Sequence, residues 1–278
     1  MKDYFGQDSS VLKNKKLWLF DMDGTIYNDD RIFDGTLDLL QFIKQNGGKY
    51  IFITNNSSKS VEDYIGKVTK MGICADSDNF FTSTQATVFY LKKNYPGKKV
   101  YVQATRSCVS ELLKSGIDVT EEVDENADIV LVGFDRELTT KKLENTCIML
   151  GHDNVFLATN PDFVCPVSFG YVPDCGSICQ MLENATKRKP TYIGKPQPTM
   201  VNIAREKFGY SADETVVIGD RLYTDIASGV NAGVTAICVL SGEVTVDDIK
   251  RDSVKPSLTF GSVKDIYQVL LAYKNGEM

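Results

Sequence analysis

The sequence of 278 residues predicts an α/β protein built on mostly parallel β-sheet. Short continuous apolar runs, which are typical of strands buried on both faces, alternate with segments of helical periodicity along nearly the whole chain. Strands that alternate with helices imply right-handed crossover connections and therefore parallel pairing. The length also corresponds to two domains at about 150 residues per domain.

The first part of the pattern begins with the apolar run 16–20, which ends in a polar turn. A helical stripe that starts at Leu37 stops at Gly47-Gly48, as expected of a helix C-cap. The run 49–53 is the next predicted strand. Serines before residue 61 can cap the helix that follows, because their hydroxyls accept from free N–H groups. The predicted helices after that strand are 60–71 and about 82–94.

A second set of strands and helices follows the break at Pro96-Gly97. A long irregular stretch, 160–175, interrupts this second set before the alternation resumes. The amphipathic tail 262–273 is expected to dock on the outside of the fold. The remaining predicted strands are 99–103, 128–134, 155–158, 191–194, 215–219 and 234–240, and the remaining helices are 106–115, 139–150, 177–187, 199–208 and 224–231.

Composition excludes several classes of function. The net charge of −6 argues against a broad nucleic-acid surface, which needs basic residues. No stretch approaches the roughly 20 apolar residues of a membrane span, and the N-terminus lacks the apolar core of a signal peptide. Seven cysteines without regular spacing are typical of reduced thiols, so we expect a cytoplasmic protein. The one histidine, His152, lies in a predicted turn, so general acids and bases must be sought among other residue types.

The segment FDMDGT, residues 20–25, directly follows the first predicted strand. Ligands of open α/β sheets bind at the carboxyl ends of strands, so Asp21 and Asp23 lie where chemistry is expected. Residues two apart in an extended segment point the same way, and Gly24 permits the tight backbone that brings Asp23 over Asp21. The simpler alternative is an Asp-Gly turn without catalytic function.

A second acidic motif, GDRLYTD at residues 219–225, follows the apolar run TVVIG. Asp220 lies at a predicted strand end, and Asp225 opens the next helix, where the helix dipole alone would also favour an acid. If both motifs follow neighbouring strands, four carboxylates converge, and each pair repels by roughly 4 kcal/mol at about 4 Å and an effective dielectric of about 20. Such a cluster needs a cation, and oxygen ligands favour Mg²⁺.

Two further strand ends supply groups that suit a phosphate. In TNNSS, residues 54–58, Thr54 offers a hydroxyl and Asn55 an amide, and the N–H groups of the following helix are free. A capped loop would explain this segment equally well. Lys195, in GKP, is a compact cation suited to a phosphate or a carboxylate, although taken alone it is typical of a surface lysine. With the acids, these groups are those needed for phosphoryl transfer to a carboxylate.

These motifs resemble those of the haloacid dehalogenase superfamily of phosphohydrolases. DMDGT is similar to its first motif, Thr54 to its second, Lys195 to its third and GDRLYTD to its fourth. The resemblance covers about residues 15–242 and is strongest with the NagD-like and p-nitrophenylphosphatase-like branch. The segments similar to that branch are LFDMDGTIY, FITNNSSKS, GFDRELT, ATNPDF, YIGKPQPTM and IGDRLYTDI.

The resemblance implies a Rossmann-like parallel-sheet core with an α/β cap domain inserted between the second and third motifs. The core would comprise residues 1–96 and 189–278, and the cap residues 97–188. Relatives are often dimers through the cap, so the resemblance also suggests a homodimer. The segment PDCGS departs from the glycine-richer turn common in such caps, which leaves the specificity loop open.

The resemblance also implies roles for individual residues. Asp21 would be the nucleophile that forms an aspartyl-phosphate, and Asp23 the general acid and base. The ligands of Mg²⁺ would be the side chains of Asp21 and Asp220 and the main-chain carbonyl of Asp23. Asp225 would orient Lys195 or a metal-bound water. The residues that hold the phosphate would be Thr54, Asn55 and Lys195.

The predicted function is therefore Mg²⁺-dependent hydrolysis of a small phosphomonoester, such as a sugar phosphate, phosphoglycolate, a nucleotide or p-nitrophenyl phosphate. A phosphomutase or phosphotransferase, which passes the phosphoryl group to an acceptor other than water, remains the alternative. A dehalogenase needs no metal cluster, so Asp23 and Asp220 together argue against it. The cap and Asp23 argue against a non-enzymatic, receiver-like phospho-aspartate module. Neither a nucleic-acid polymer nor a membrane is an expected partner.

Overall fold

The computed structural model describes residues 1–167 and 169–276 and shows an α/β fold with mostly parallel sheets. The strands are β1 (Leu17–Phe20), β2 (Tyr27–Asn28), β3 (Arg31–Ile32), β4 (Lys49–Thr54), β5 (Phe80–Thr82), β6 (Val100–Gln103), β7 (Val119–Thr120), β8 (Ile129–Val132), β9 (Val155–Ala158), β10 (Val164–Val167), β11 (Gly170–Pro173), β12 (Thr191–Tyr192), β13 (Thr215–Gly219), β14 (Thr235–Val239) and β15 (Leu258–Phe260). The α-helices are α1 (Thr36–Gln45), α2 (Val61–Lys70), α3 (Ser83–Asn94), α4 (Arg106–Lys114), α5 (Thr140–Leu150), α6 (Cys175–Thr186), α7 (Thr199–Phe208), α8 (Ala227–Asn231), α9 (Val246–Arg251) and α10 (Val263–Asn275).

The larger sheet has six strands in the order β15-β14-β13-β1-β4-β5. Strand β1 pairs in parallel with β13 on one side and with β4 on the other. The chain builds the sheet first towards β5 and later towards β15, so the strand order reverses at β1. In open α/β sheets, such a reversal opens a crevice at the carboxyl ends of the strands, where ligands bind. The sheet therefore places any site beyond Phe20 and Gly219.

The apolar runs of the sequence form the centre of this sheet. All four residues of β1 and all five of β13 are buried, because helices cover both faces of a parallel sheet. Helix α10, the predicted amphipathic tail, packs on α1, where Phe42 and Tyr267 meet edge to face. Its buried side chains include Ile266, so the tail belongs to the folded unit.

The second sheet has five parallel strands in the order β12-β9-β8-β6-β7. Helices α5 and α6 pack together over it, and their buried residues include Met149 and Ile178. This sheet is therefore a second core with its own apolar interior. The predicted fold class, a Rossmann-like parallel-sheet core with an inserted α/β cap, is confirmed.

The chain divides into two compact units by its internal contacts. The first unit comprises residues 1–53, 64–81 and 195–278, and the second comprises residues 54–63 and 82–194. The second unit thus begins earlier than the cap predicted at residues 97–188, because it includes α3 and the segment after β4. The boundaries predicted for the core and cap domains remain a prediction.

Several local elements differ from the sequence-based prediction. The stretch 160–175 is not irregular, because β10 and β11 pair as an antiparallel hairpin; Ser168 lies outside the described residues. A π-helical turn, Leu222–Ile226, precedes α8 where a single helix was predicted. The prediction also missed β2, β3, β5, β7, β15 and α9, because elements of two to six residues are too short to show a periodicity. Among the helices in the described part of the chain, none has the length and hydropathy to cross a bilayer.

Candidate active site

Asp21 and Asp220 lie side by side because they follow paired strands. Phe20 at the end of β1 is in register with Ile218 of β13, and the Asp21 N–H donates to the Ile218 carbonyl at 2.8 Å. Asp220 comes directly after β13. The hydrogen-bond ladder of the sheet thus continues one residue past β1 and fixes the backbone from which Asp21 projects.

Lys195 lies between two of the carboxylates. Its Nζ is 2.6 Å from Asp21 Oδ1 and 2.6 Å from Asp225 Oδ1, and it also donates to the Ile53 carbonyl at 3.3 Å. Only 3% of the Lys195 side chain is exposed. The sequence alone could not separate this lysine from a surface lysine, whereas its burial between two acids makes it part of the cluster.

The cluster carries more negative than positive charge. Carboxylate oxygens of Asp21, Asp220 and Asp225 lie within 4.8 Å of one another, and Asp220 and Asp225 are buried. Lys195 contacts Asp21 and Asp225, and the charges of Asp21 and Asp220 raise the pKa of the nearby Arg221 guanidinium. A group of carboxylate oxygens fits a hard divalent cation. Asp225 belongs to this carboxylate group, whereas the prediction gave the third ligand as the main-chain carbonyl of Asp23.

Protonation in the cluster follows from burial and from the neighbouring charges. Burial raises the pKa of Asp220 above its ordinary value, and the charge of Asp21 raises it further. The pKa of Asp225 is raised for the same two reasons, although Lys195 opposes the shift. Burial lowers the pKa of Lys195, but the charges of Asp21 and Asp225 outweigh it, so the net shift is upward. Lys195 is thus a permanent cation beside acids that favour a further positive charge.

Backbone geometry fixes the Asp220 carboxylate. Its Oδ2 accepts from the Glu243 main-chain N–H at 2.8 Å, and its Oδ1 accepts from the Thr25 hydroxyl at 3.3 Å. A Cβ on Gly24 or on Gly242 would overlap the Asp220 carboxylate, and Gly24 also has φ of +81°. These contacts leave Asp220 in one orientation, because glycine is the residue that lets main chain approach so closely.

Asp23 lies outside the buried cluster. Its side chain is 55% exposed. Lys67 Nζ, from α2, is 3.5 Å from Asp23 Oδ1, and the Tyr27 hydroxyl donates to Asp23 Oδ2 at 3.4 Å. The two aspartates of the DMDGT motif therefore have different surroundings, one of them half-buried beside Lys195 and the other at the surface.

Thr54 and Asn55 belong to the second unit by their contacts. Thr54 is the last residue of β4, and its Oγ1 accepts from the Asn56 N–H at 3.2 Å. The Asn55 side-chain amide donates to Asp162 Oδ2 at 3.1 Å, and the Asn55 carbonyl accepts from the Ser83 hydroxyl at 2.6 Å. Both residues are buried, so their polar groups are held in fixed positions.

The structure thus brings together Asp21, Lys195, Asp220 and Asp225, which were predicted as site residues from three separate segments. Sequence reasoning missed Thr25, Tyr27 and Lys67. Thr25 and Tyr27 were visible in the motif LFDMDGTIY but carried no signal of their own. Lys67 had no signal at all, since its contact with Asp23 depends on how α2 packs.

The sequence matches two family descriptions. Residues 18–118 match the haloacid dehalogenase-like hydrolase family, and residues 192–266 match the HAD-hydrolase-like family. An acid sugar phosphatase of Staphylococcus saprophyticus is 31% identical over 259 residues, which cover 93% of this chain and 99% of the relative. An acid sugar phosphatase of Staphylococcus aureus is also 31% identical, over 254 residues that cover 91% of this chain and 97% of the relative.

Solved structures show the same fold along almost the whole chain. A 4-nitrophenylphosphatase from Thermotoga maritima has a TM-score of 0.89 and 37% identity, and the match covers 94% of this chain and 99% of that one. NagD from E. coli K-12 has a TM-score of 0.84 and 32% identity, with 91% and 98% of the two chains covered. The Staphylococcus and Thermotoga maritima proteins are phosphatases by name, and NagD shares their fold.

Proposed function

We propose that this chain, which belongs to the haloacid dehalogenase superfamily and is a phosphatase of its NagD-like branch, hydrolyses small phosphomonoesters through an aspartyl-phosphate on Asp21. One observation carries the proposal. A buried lysine lies 2.6 Å from both Asp21 and Asp225, and Asp220 completes a group of three carboxylates. This arrangement holds a nucleophile and favours the binding of positive charge beside it.

Asp21 is the proposed nucleophile. Its carboxylate is oriented by the Lys195 ammonium at Oδ1 and by a main-chain position that the sheet fixes. A carboxylate oxygen attacks the phosphorus atom, the bond from phosphorus to the ester oxygen breaks, and an acyl phosphate forms on Asp21. Fixed positioning of this kind converts an encounter of two molecules into a step within one complex.

Asp23 is the proposed general acid and base. It gives its proton to the departing ester oxygen, which leaves as the alcohol. The resulting carboxylate then takes a proton from water while the water oxygen attacks the phosphorus atom of the acyl phosphate. Inorganic phosphate is released, the Asp21 carboxylate is regenerated, and Asp23 is protonated again. General acid–base catalysis contributes typically about 10²–10⁴-fold to the rate.

The metal assigned to this site is Mg²⁺. Asp21 and Asp220 would hold it, together with the Asp23 main-chain carbonyl that the family resemblance implies, and Asp225 lies beside them. When bound, it would neutralise the charge of the carboxylates and of the transferring phosphoryl group. Lys195 contributes a further positive charge, and we assign phosphate binding to Lys195, Thr54 and Asn55.

Turnover with and without metal tests this function. The substrates are 4-nitrophenyl phosphate and a panel of sugar phosphates, which the names of the relatives suggest. We expect EDTA-treated protein to be inactive and Mg²⁺ to restore activity in the wild type but not in Asp220→Asn. Inorganic phosphate should appear in amounts equal to the alcohol, even when a sugar acceptor is added. Full activity without metal, or transfer of the phosphoryl group to the sugar, would contradict the proposal.

A further inference from the structure

We infer that Lys67 and Tyr27 are positioning residues that hold the Asp23 carboxylate in the orientation needed for proton transfer. The inference rests on the proposed role of Asp23 as general acid and base. It goes beyond the family motifs, since Lys67 lies in helix α2 and in none of them. The observation behind it is that the two oxygens of one exposed carboxylate face two different partners.

Lys67 faces both Asp23 and Tyr27. Its Nζ is 3.5 Å from Asp23 Oδ1 and 4.0 Å from the centroid of the Tyr27 ring. A cation over an aromatic face is attracted by the ring quadrupole, which limits where the flexible lysine side chain can go. The Lys67 side chain is only 24% exposed, so the ammonium is held near the carboxylate.

Tyr27 is the rigid member of the group. Its ring is fully buried, and its hydroxyl donates to Asp23 Oδ2 at 3.4 Å. The main chain around it is tied back to the motif, because the Gly24 N–H donates to the Tyr27 carbonyl and the Ile26 N–H donates to the Met22 carbonyl. The buried ring and the anchored main chain therefore fix the position from which the Tyr27 hydroxyl donates.

An exposed aspartate without such partners would not hold one orientation. The χ2 torsion angle of an aspartate has a broad distribution, so an exposed carboxylate rotates readily in water. Proton transfer requires the acid to lie within about 2.6–3.2 Å of the oxygen that receives the proton. With Lys67 near one oxygen and the Tyr27 hydroxyl near the other, rotation of the Asp23 carboxylate is limited.

The opposing explanations are a plain surface ion pair and a binding site for a second anionic group of the substrate. A surface ion pair contributes little, and its loss would leave catalysis unchanged. An anion-binding lysine would act on KM, and only with substrates that carry a second negative charge. Loss of a positioning residue instead lowers kcat/KM, and the decrease is larger for substrates whose leaving group must be protonated.

The test compares two leaving groups in the full-length, Mg²⁺-loaded protein. Nitrophenolate is a good leaving group and needs little protonation. The alkoxide of an uncharged sugar is a poor leaving group, so it must receive a proton from the general acid as it departs. We expect Lys67→Met and Tyr27→Phe to lower kcat/KM for the sugar phosphate by about tenfold, a fraction of the full acid–base effect, and for 4-nitrophenyl phosphate by less than about threefold. Lys67→Arg should restore the sugar phosphate value, because it returns the cation.

Lys70→Met is the matched control, since Lys70 is an exposed lysine on the same helix. It should leave both substrates unchanged. Equal losses on both substrates, a change in KM alone, or no change in Lys67→Met and Tyr27→Phe would overturn the inference. Asp23→Asn separates this failure from failure of the proposed function. If Asp23→Asn loses activity while Lys67→Met and Tyr27→Phe keep theirs, only the inference is wrong; if Asp23→Asn stays active, the acid–base assignment itself is wrong.

Discussion

The two parallel sheets follow the same rules of construction, yet their carboxyl ends differ in charge balance. In the second sheet, Asp135 beyond β8 is buried and paired with Lys142 at 2.8 Å, so one acid meets one base. Asp174, which directly follows β11, accepts hydrogen bonds from the Asn160 side-chain amide and from the Cys175 N–H. The carboxylates of Asp135 and Asp174 thus each have a polar partner within the second unit.

The larger sheet leaves its charges unbalanced. Asp21 and Asp225 share the Lys195 ammonium, and the oxygens of Asp21, Asp220 and Asp225 lie within 4.8 Å of one another. Burying unbalanced charge costs free energy, so such a cluster is retained where it binds something. Strand ends alone therefore do not make a site. What distinguishes the larger sheet is a deficit of positive charge that a metal and a phosphoryl group can use.

Removing the lysine from each sheet should separate activity from stability. In Lys195→Met, we expect activity to fall by about 10²-fold or more, because the cation beside the nucleophile is lost. In Lys142→Met, Asp135 becomes a buried, unpaired charge, so the free energy of unfolding should fall by up to about 3 kcal/mol while turnover per folded molecule stays unchanged. Denaturant unfolding and steady-state kinetics measure the two quantities. Loss of activity in fully folded Lys142→Met would show that the Lys142–Asp135 pair contributes to turnover.

Glycines at the two sheets should also respond differently. A Cβ on Gly242 would overlap Asp220 Oδ2, whereas a Cβ on Gly133 would lie 3.1 Å from the Ala104 Cβ. We expect Gly242→Ala to weaken Mg²⁺ binding by about tenfold, because a metal-binding carboxylate is displaced without any change of charge. Gly133→Ala should cost about 1 kcal/mol of stability from tighter packing and leave Mg²⁺ binding unchanged.

The Mg²⁺ affinity of both variants can be measured from how the melting temperature depends on Mg²⁺ concentration, because a ligand that binds the folded state stabilises it by mass action. Wild-type Mg²⁺ affinity in Gly242→Ala would show that Asp220 does not hold the metal. Weakened affinity in Gly133→Ala would show that the second sheet is not independent of the site.

A further difference concerns the pH dependence of the second unit's stability. Burial raises the pKa of Asp174 to about 7 from 3.8. A folded-state pKa above the unfolded value means that the folded protein binds the extra proton, so its stability falls as pH rises between about 4 and 7. In Asp174→Asn this contribution is absent. The stability of the wild type relative to that variant should therefore decline over this range, by about 4 kcal/mol at most.

Chemical denaturation at several pH values measures the difference between the two proteins, which cancels the titration of all other groups. A difference that rises with pH would show that Asp174 is stabilised as a carboxylate by Asn160 and the helix α6 N-terminus. In that case, burial would not be the dominant influence on this acid.

The sequence predicted the parts of the fold and site that depend on local pattern. The runs that became β1, β4 and β13 are continuous and apolar, and the motif residues follow them directly. Contacts between distant segments carried no such pattern. The Asn55–Asp162 hydrogen bond joins residues 107 apart in sequence, and the contact of Lys67 with Asp23 depends on the packing of α2. The hairpin β10–β11 was missed because Pro166 and Pro173 lie within its strands, where proline is uncommon.

The most direct test of the account is detection of the phosphoenzyme on Asp21. Wild-type protein with Mg²⁺ is mixed with 4-nitrophenyl phosphate, quenched in acid within milliseconds, and analysed by intact and peptide mass spectrometry. We predict one added phosphoryl group on the peptide that contains Asp21, lost on treatment with hydroxylamine, and absent from Asp21→Asn, which should also be inactive. A modified residue other than Asp21, or normal turnover in Asp21→Asn, would contradict the central claim.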